Sequence, residues 1–454
     1  MKYLMIFALV CGLGLAATAE AKEVPVAPAR VPVAPARVPV APAKEVWVPP
    51  VEEVADEVDI KIGGAVRVRH LNWSDMFFGA STGTGTGREN EAWLETRTRL
   101  LMEADLANDV VVVARLSNER AWGGPVAREF DVLLDWAYIT MANVAGQPID
   151  LIIGRQPIAL GDSMQIDDDF DAVRLSIPFE PVVVDAFFAK IADARMGRLV
   201  PDDDLMGFHV VYEHPEPAIT VNMGYYELID RKTAPAVDDR IRSMAISGSG
   251  NLLGLVGDIP GIGGLGIGDI GLLVSGGMIF QTGDVTIRGT PVGLDADALY
   301  FEIGAAMDMG AVSLRWASLS GDDPATPRTD EAFRPMFKDV DFGTVVVNEI
   351  KDDAFLAARV GALNTNLNLW GLGFKASPMP GVGVSLNYID FTRDAVAPRA
   401  SDDVGTELNF GVRYALTEVV TLDFTMGRFA PGAALAALGT KTAHLTRIGA
   451  ELSF

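Results

Sequence analysis

The last eleven residues, His444-Leu445-Thr446-Arg447-Ile448-Gly449-Ala450-Glu451-Leu452-Ser453-Phe454, decide how the chain is read. Ile448, Ala450, Leu452 and Phe454 fall on one parity; Arg447, Gly449, Glu451 and Ser453 fall on the other. Alternation at 180° per residue describes a strand with one apolar and one polar face. The same period returns upstream. Leu422, Phe424 and Met426 alternate with Thr421, Asp423 and Thr425, and Leu408, Phe410, Val412 and Tyr414 with Glu407, Asn409, Gly411 and Arg413. Near the start, Leu94, Leu100, Met102 and Leu106 oppose Glu95, Arg97, Arg99, Glu103 and Asp105.

The spacing predicts eighteen strands over 58–70, 92–106, 109–118, 131–141, 149–156, 171–177, 182–191, 206–213, 218–227, 241–256, 267–281, 296–308, 310–319, 365–376, 381–391, 404–415, 419–428 and 442–454. The glycine-rich stretch Gly248–Gly277 makes the tenth and eleventh the weakest, so sixteen strands would also satisfy the pattern. The connections sort by length. Asn108-Asp109, Met309-Gly310, Ser377–Pro380 and Leu416–Glu418 are tight turns, whereas Leu71–Glu91, Pro157–Phe170, Ser320–Asn364 and Phe429–Lys441 are long and polar. A soluble sandwich has no reason to sort its connections this way. A closed antiparallel transmembrane β-barrel does, with turns at one membrane face and loops at the other. Hydrocarbon offers no hydrogen bonds, so a membrane-spanning sheet must close on itself. The barrel is expected over residues 58–454, with terminal Phe454 as the strand-end signal for the barrel-assembly machinery.

Composition agrees. The 454 residues are 49% hydrophobic yet carry Lys+Arg 37 against Asp+Glu 61, a net charge of −24. An excess of acid argues against nucleic-acid binding, which needs cations to displace counterions from phosphate. One cysteine, Cys11, excludes a disulfide framework and a cysteine-based zinc site. Four histidines, none with an obvious serine and acidic partner, argue against a hydrolase. No enzyme activity and no cofactor are expected.

The first 21 residues read as a secretory signal peptide: Lys2, an apolar run from Tyr3 to Ala17, then small residues at Ala17, Ala19 and Ala21. The run is shorter than the ~20 residues a membrane-spanning helix needs. Residues 22–57 form a linker in which VPVAPAR (Val24–Arg30) repeats at Val31–Arg37 and as VPVAPAK at Val38–Lys44. Proline at this density blocks helix and strand and leaves a disordered, extended chain. At ~3.1 Å per residue the three repeats reach roughly 65 Å. One cation per repeat fits either a plain spacer in the periplasm or a tether to an anionic cell wall through residues 22–50.

Two motifs invite other readings. Gly261-Ile262-Gly263-Gly264-Leu265-Gly266 matches a dinucleotide fingerprint, but Pro260 and Gly268 break the strand and helix such a site needs, so a turn is expected. Asp167, Asp169 and Asp171 have the spacing of a calcium loop without its central glycine or terminal glutamate, and remain weak metal candidates on a rim loop.

On the parity opposite the apolar one, the predicted lumen carries Lys61, Arg67, Arg69, Arg97, Arg99, Arg115, Arg174, Arg315, Lys375, Arg413 and Arg447 against Asp59, Glu95, Glu103, Asp105, Asp131, Asp135, Asp185, Glu302, Glu407, Asp423 and Glu451. These balance, so the excess negative charge is assigned to loops and mouths, which attract cations. Either the charges only neutralise one another, or arginines such as Arg97, Arg99 and Arg115 line a constriction that orders solutes.

The order Glu95-Thr96-Arg97-Thr98-Arg99-Leu100, Gly154-Arg155-Gln156-Pro157, Gly161-Asp162, Phe170-Asp171-Ala172-Val173-Arg174-Leu175, Ser320-Gly321-Asp322-Asp323 and Phe333-Arg334-Pro335-Met336-Phe337 resembles the alginate-export-type outer-membrane barrels over 58–454. The resemblance implies a monomeric eighteen-stranded pore with Arg97, Arg99, Arg155 and Arg174 associated with it. Arg155 shares the parity of Leu151 and Ile153, so pointing it inward requires a bulge. The balanced lumen differs from the electropositive one of that family's polyanion exporter. The reading is a porin-like channel in a Gram-negative-type outer membrane, held by lipid, passing small hydrophilic solutes or ions by passive diffusion. Polysaccharide export and a structural, envelope-anchoring barrel are the alternatives.

Overall fold

The computed structural model describes residues 58–454 except 77, 79–89, 107–108, 123–131, 161–163, 192–202, 216–217, 231–237, 252–270, 288, 309, 337–342 and 346–364. The signal peptide, the proline linker and the glycine motif at 261–266 lie outside the described residues.

The strands are β1 (Asp59–Ser74), β2 (Asn90–Leu106), β3 (Val110–Trp122), β4 (Leu133–Met141), β5 (Asp150–Leu160), β6 (Ile166–Phe179), β7 (Val182–Ile191), β8 (Asp203–Pro215), β9 (Ala218–Asp230), β10 (Asp239–Asn251), β11 (Gly271–Ile287), β12 (Thr290–Met307), β13 (Gly310–Leu319), β14 (Thr329–Asp330), β15 (Leu367–Met379), β16 (Val382–Thr392), β17 (Asp403–Ala415), β18 (Val420–Pro431) and β19 (Ala443–Ser453). Each of the eighteen predicted strands has its counterpart. The addition is β14, a two-residue piece inside the β13–β15 connection that pairs in parallel with β12. Every other pairing is antiparallel between consecutive strands, with β13 joined directly to β15, and the ring is completed by β19 on β1, from Ala65↔Ser453 to Ser74↔His444. The terminal residue belongs to this seam: Phe454 N donates to Gly64 O and Gly64 N to Phe454 O, at 3.0 and 2.9 Å.

The two faces of the ring separate as the alternation requires. Outward positions such as Leu314, Trp316, Trp370, Leu372, Phe374 and Ile448 are 42–55% exposed. Ile389, Phe429, Ala443 and Leu445, on the opposite face, are buried. Residues on that inner face are covered because the loops fold over them: Phe78, from the segment after β1, packs its ring 5.6 Å from that of Phe429 on β18. The aromatic pairs Phe208–Tyr225 and Trp370–Tyr388 lie on neighbouring strands of the exposed face, as expected of a surface that meets a membrane interface.

Three expectations are corrected. Pro157–Phe170 is not a long loop: β5 runs to Leu160 and β6 starts at Ile166, and alternating buried residues Gln156, Ile158, Leu160, Ile166 and Phe170 carry the hairpin onward. The run of aspartates between them hid this period. Residues 282–287 and 290–295, outside both predicted strands, form the ends of a β11–β12 hairpin whose last pair is Ile287↔Thr290. Connection lengths are therefore sorted less strictly than expected, since this tight turn sits at the loop end while 252–270 joins β10 to β11 at the turn end.

The backbone at Gly154 accepts no side chain. Gly154 has φ +123°, and a Cβ there would lie 2.2 Å from the carbonyl oxygen of Ala137 on β4. A Gly154→Ala substitution adds both strain and a backbone clash, at a cost of about 2–3 kcal/mol. The expected outcome is a smaller fraction of heat-resistant folded barrel by electrophoretic mobility and a lower urea midpoint.

Candidate functional site

The inner face of β1–β4 carries a strip of paired charges. Its order follows from the registers, which set Arg69 opposite Glu95, Arg67 opposite Arg97, Ala65 opposite Arg99 and Lys61 opposite Glu103. Arg69 Nη2 donates to Glu95 Oε2 at 3.0 Å, and Trp93 Nε1 holds the other oxygen of that carboxylate at 3.0 Å. Arg97 stands 3.7 Å from Glu119. Lys61 Nζ donates to Glu103 at 3.2 Å and Asp105 at 2.8 Å.

The densest knot centres on Arg115. Its Nη2 lies 3.1 Å from both Asp135 Oδ2 and Asp169 Oδ2, its guanidinium stacks 3.5 Å above the Trp136 ring, and Trp136 Nε1 donates to Asp169 Oδ1 at 2.7 Å. A bulge makes this possible. The β3–β4 register shifts between Arg115 and Leu116, so Asp135 is the extra residue and both Asp135 and Trp136 reach Arg115. Sequence parity gave Asp135 but not Trp136, because a bulge reverses parity at one residue. Further round, Arg174 Nη2 donates to Asp185 at 3.1 Å, and Arg315 Nη2 to Asn387 Oδ1 at 3.4 Å. Arg413 lies opposite Asp423, whose carboxylate is 4.0 Å from Arg447. The registers thus carry Arg67, Arg69, Arg97, Arg99, Arg115, Arg174, Arg315, Arg413, Glu95, Glu103, Asp135 and Asp185 to the inward face. Arg67 and Arg99 make no ion pair with a described residue.

Two candidates fall elsewhere. Arg155 is opposite Ala137, two residues from the Ile139↔Ile153 pair of the outward face, and binds Asp171 at 3.8 Å. The register does not shift to turn it inward. Asp167, Asp169 and Asp171 are on strand β6 rather than a rim loop, with Asp169 committed to Arg115 and Trp136, and Asp171 to Arg155. Among the described residues, no group of three or more metal-binding side chains converges.

In the connection from β13 to β15, the described residues 333–336 and 343–345 lie on the inner wall, which was not legible in the sequence. After Ser320, Phe333 N donates to Ser320 O at 3.0 Å and buries its ring. Arg334 N donates to Gln281 Oε1 and Arg334 O accepts from Gln281 Nε2, both at 2.8 Å, while Gln165 Nε2 reaches the same carbonyl at 3.4 Å. Ser243 Oγ accepts from both glutamines, and all three side chains are fully buried. On the other flank, Glu407 Oε1 accepts from Thr344 N, from Val345 N at 3.1 Å and from Asn409 Nδ2 at 2.7 Å. Gly427 leaves room for Val345, whose Cγ2 would lie 2.5 Å from a Cβ there. The described parts of this connection are therefore held at β10–β11 and at β17–β18, on either side of its roots. Above it, at the loop end, a pocket of about 430 Å³ is lined by Asn366, Arg393, Ser401 and small apolar residues; burial lowers the Arg393 guanidinium from its usual range.

A closed antiparallel ring of eighteen strands, apolar outside and charged inside, is an architecture shared by outer-membrane porins. Solved structures agree on the fold. Pseudomonas aeruginosa OccK1 (OpdK) is similar with a TM-score of 0.57 and 12% identity, covering 87% of this chain and 98% of its own. OccK2 (OpdF) of the same organism gives 0.56 and 11% over 87% and 98%, and OpdO gives 0.54 and 15% over 87% and 97%. No family model matches the sequence, and no curated protein does.

Glu407→Ala leaves the buried amide of Val345, the half-buried amide of Thr344 and the Asn409 side chain without their acceptor, at about 1–3 kcal/mol for each buried group. Single-channel recording should show a larger, noisier conductance than the wild type, with the barrel still folded by electrophoretic mobility.

Proposed function

We propose that the chain is a passive diffusion channel of a Gram-negative-type outer membrane, with loops outside, turns in the periplasm, and selectivity set where the β13–β15 connection faces the charged strip of β1–β4. The observation that carries this reading is the asymmetry of that passage. One side is a connection fixed by buried amide hydrogen bonds; the other is a wall whose arginines are mostly paired but include Arg67 and Arg99 without ion-pair partners among the described residues. Charged groups opposed across a narrow, low-dielectric passage orient a dipolar solute and lower the barrier to a charged one. The twelve inward residues of the preceding section are the proposed pore lining.

The unpaired guanidinium groups favour solutes with one carboxylate. Structures of the neighbours OpdK and OccK2 were solved with vanillate and with glucuronate, both small carboxylates. An acidic mouth repels a long polyanion more strongly than a single charge, so size and charge together select small molecules. Kinship with the alginate-export-type barrels rests on the short motifs; of the arginines it marks, Arg97, Arg99 and Arg174 belong to the proposed lining and Arg155 does not. Membrane lipid and the barrel-assembly machinery, acting on Phe454, are the proposed partners, and residues 22–50 are a periplasmic spacer or cell-wall tether.

Purified protein in a planar bilayer should conduct, and the Arg67→Gln/Arg99→Gln pair should shift the reversal potential in a salt gradient toward cations and slow small-carboxylate flux several-fold. A wild type without conductance, or a pair with unchanged selectivity, overturns the assignment. Deleting residues 22–50 should leave the conductance unaltered.

A further inference from the structure

The outward face is not uniformly apolar, and its charges are arranged asymmetrically. Across the strands, no Asp, Glu, Lys or Arg on the outward parity lies nearer the turn end than the middle of its strand. The turn-side half presents residues such as Ile60, Ile62, Leu422 and Leu452. Toward the loop end, one cluster stands out on β9 and β10. Arg242 Nε lies 3.3 Å and Arg240 Nη1 4.0 Å from the same oxygen, Glu227 Oε1. Register sets Arg242 opposite Glu227 on the face of Met244 and Ile246, which are 62% and 43% exposed, while Ile241, Ser243 and Ala245 are buried on the other face. The two arginine side chains stay 40% and 44% exposed over a carboxylate that is only 18% exposed. The trio therefore presents guanidinium outward with a net positive charge. Asp284, opposite Arg240 on β11, makes no ion pair with a described residue.

Just below, toward the turn end, the same face offers an apolar shelf. Met244 lies opposite Tyr225 on β9 and Phe280 on β11, and Tyr225 stacks on Phe208 with ring centroids 5.9 Å apart. Phe280 and Phe208 are 50% and 46% exposed. Cations directly above exposed aromatic and thioether surface match an amphiphile with an anionic head and acyl chains.

We propose that the Arg240–Arg242–Glu227 trio and the shelf beneath it bind a phosphorylated glycolipid of the outer leaflet, with its phosphate on the two guanidinium forks and its acyl chains along Phe208, Tyr225, Met244 and Phe280. Phosphate is an anion that the planar fork matches with paired hydrogen bonds. The one-sided distribution selects the lipid: a phospholipid present in both leaflets would meet both ends of the barrel, whereas the charged positions occur only toward the loops. The inference rests on the membrane reading above, which the bilayer conductance measurement tests separately.

The test is native mass spectrometry of the full-length protein in detergent, titrated with a phosphorylated acyl-diglucosamine lipid, its dephosphorylated form and phosphatidylethanolamine. The wild type should carry adducts of the phosphorylated glycolipid well above those of the other two. Arg240→Gln/Arg242→Gln should lose these adducts several-fold, while Arg428→Gln, an outward arginine on β18, keeps them. If the glutamine pair does not assemble, Arg240→Lys/Arg242→Lys carries the test, because it keeps the charge but not the fork; it should lose adducts at least twofold. Equal adducts in the wild type and the assembled pair, equal uptake of the dephosphorylated lipid or of phosphatidylethanolamine, or the same loss in Arg428→Gln would overturn the proposal. Conductance of the glutamine pair should match the wild type, so a failed lipid site and a failed channel give different results.

Discussion

Everything in this molecule depends on the closure of the sheet between β1 and β19. A strand edge in hydrocarbon leaves each backbone N–H and C=O without a partner, at several kcal/mol apiece. The pairing from Ala65↔Ser453 to Ser74↔His444, extended by the mutual bonds of Gly64 and Phe454, removes that edge. Closure also fixes what the two faces must be. Once the ring is complete, each outward side chain has to tolerate the surroundings of the barrel, and each inward one must be hydrated, paired or covered by a loop.

Much of this was legible because closure imposes period two on strand after strand. Eighteen strands could be read from alternation, and with them the inward parity of Arg67, Arg97, Arg99 and Arg174. Legibility failed where geometry departs from strict alternation or where polar composition mimics a loop. At Asp135 a single bulge brings Trp136 to Arg115 as well, which no parity rule anticipates. At Asp167–Asp171 consecutive acids look like a solvated loop, although Asp169 is held by Arg115 and Trp136. The folding of residues 333–336 and 343–345 against the wall was hidden for a different reason. It depends on three buried polar side chains, Gln165, Ser243 and Gln281, from separate hairpins, and on Glu407 from another. Nothing local in the sequence pairs them.

The same polar groups explain how a connection can be both inside the ring and ordered. A loop covered from water needs partners for its amides; Gln281 supplies a donor and an acceptor, and Gln165 a second donor. Gln281 satisfies both the N–H and the C=O of Arg334 as a neighbouring strand would. The Glu407 carboxylate serves the amides of Thr344 and Val345 in the same manner. Side chains thus take the place of a backbone ladder where no strand edge is free.

Charge is the remaining constraint, and it is handled differently on the two faces. Inside, Lys61–Glu103, Arg69–Glu95, Arg97–Glu119 and Arg115–Asp135 pair opposite signs across adjacent strands, while Arg67 and Arg99 make no ion pair with a described residue. Outside, charge is confined to the loop-side half of the wall, where Glu227 sits beneath Arg240 and Arg242. A wall that only had to resist hydrocarbon would carry no charge on either half. Its placement toward the loops alone makes the two ends of the outer surface unlike, a difference that the connection lengths, with a tight turn between Ile287 and Thr290 at the loop end, mark less strictly.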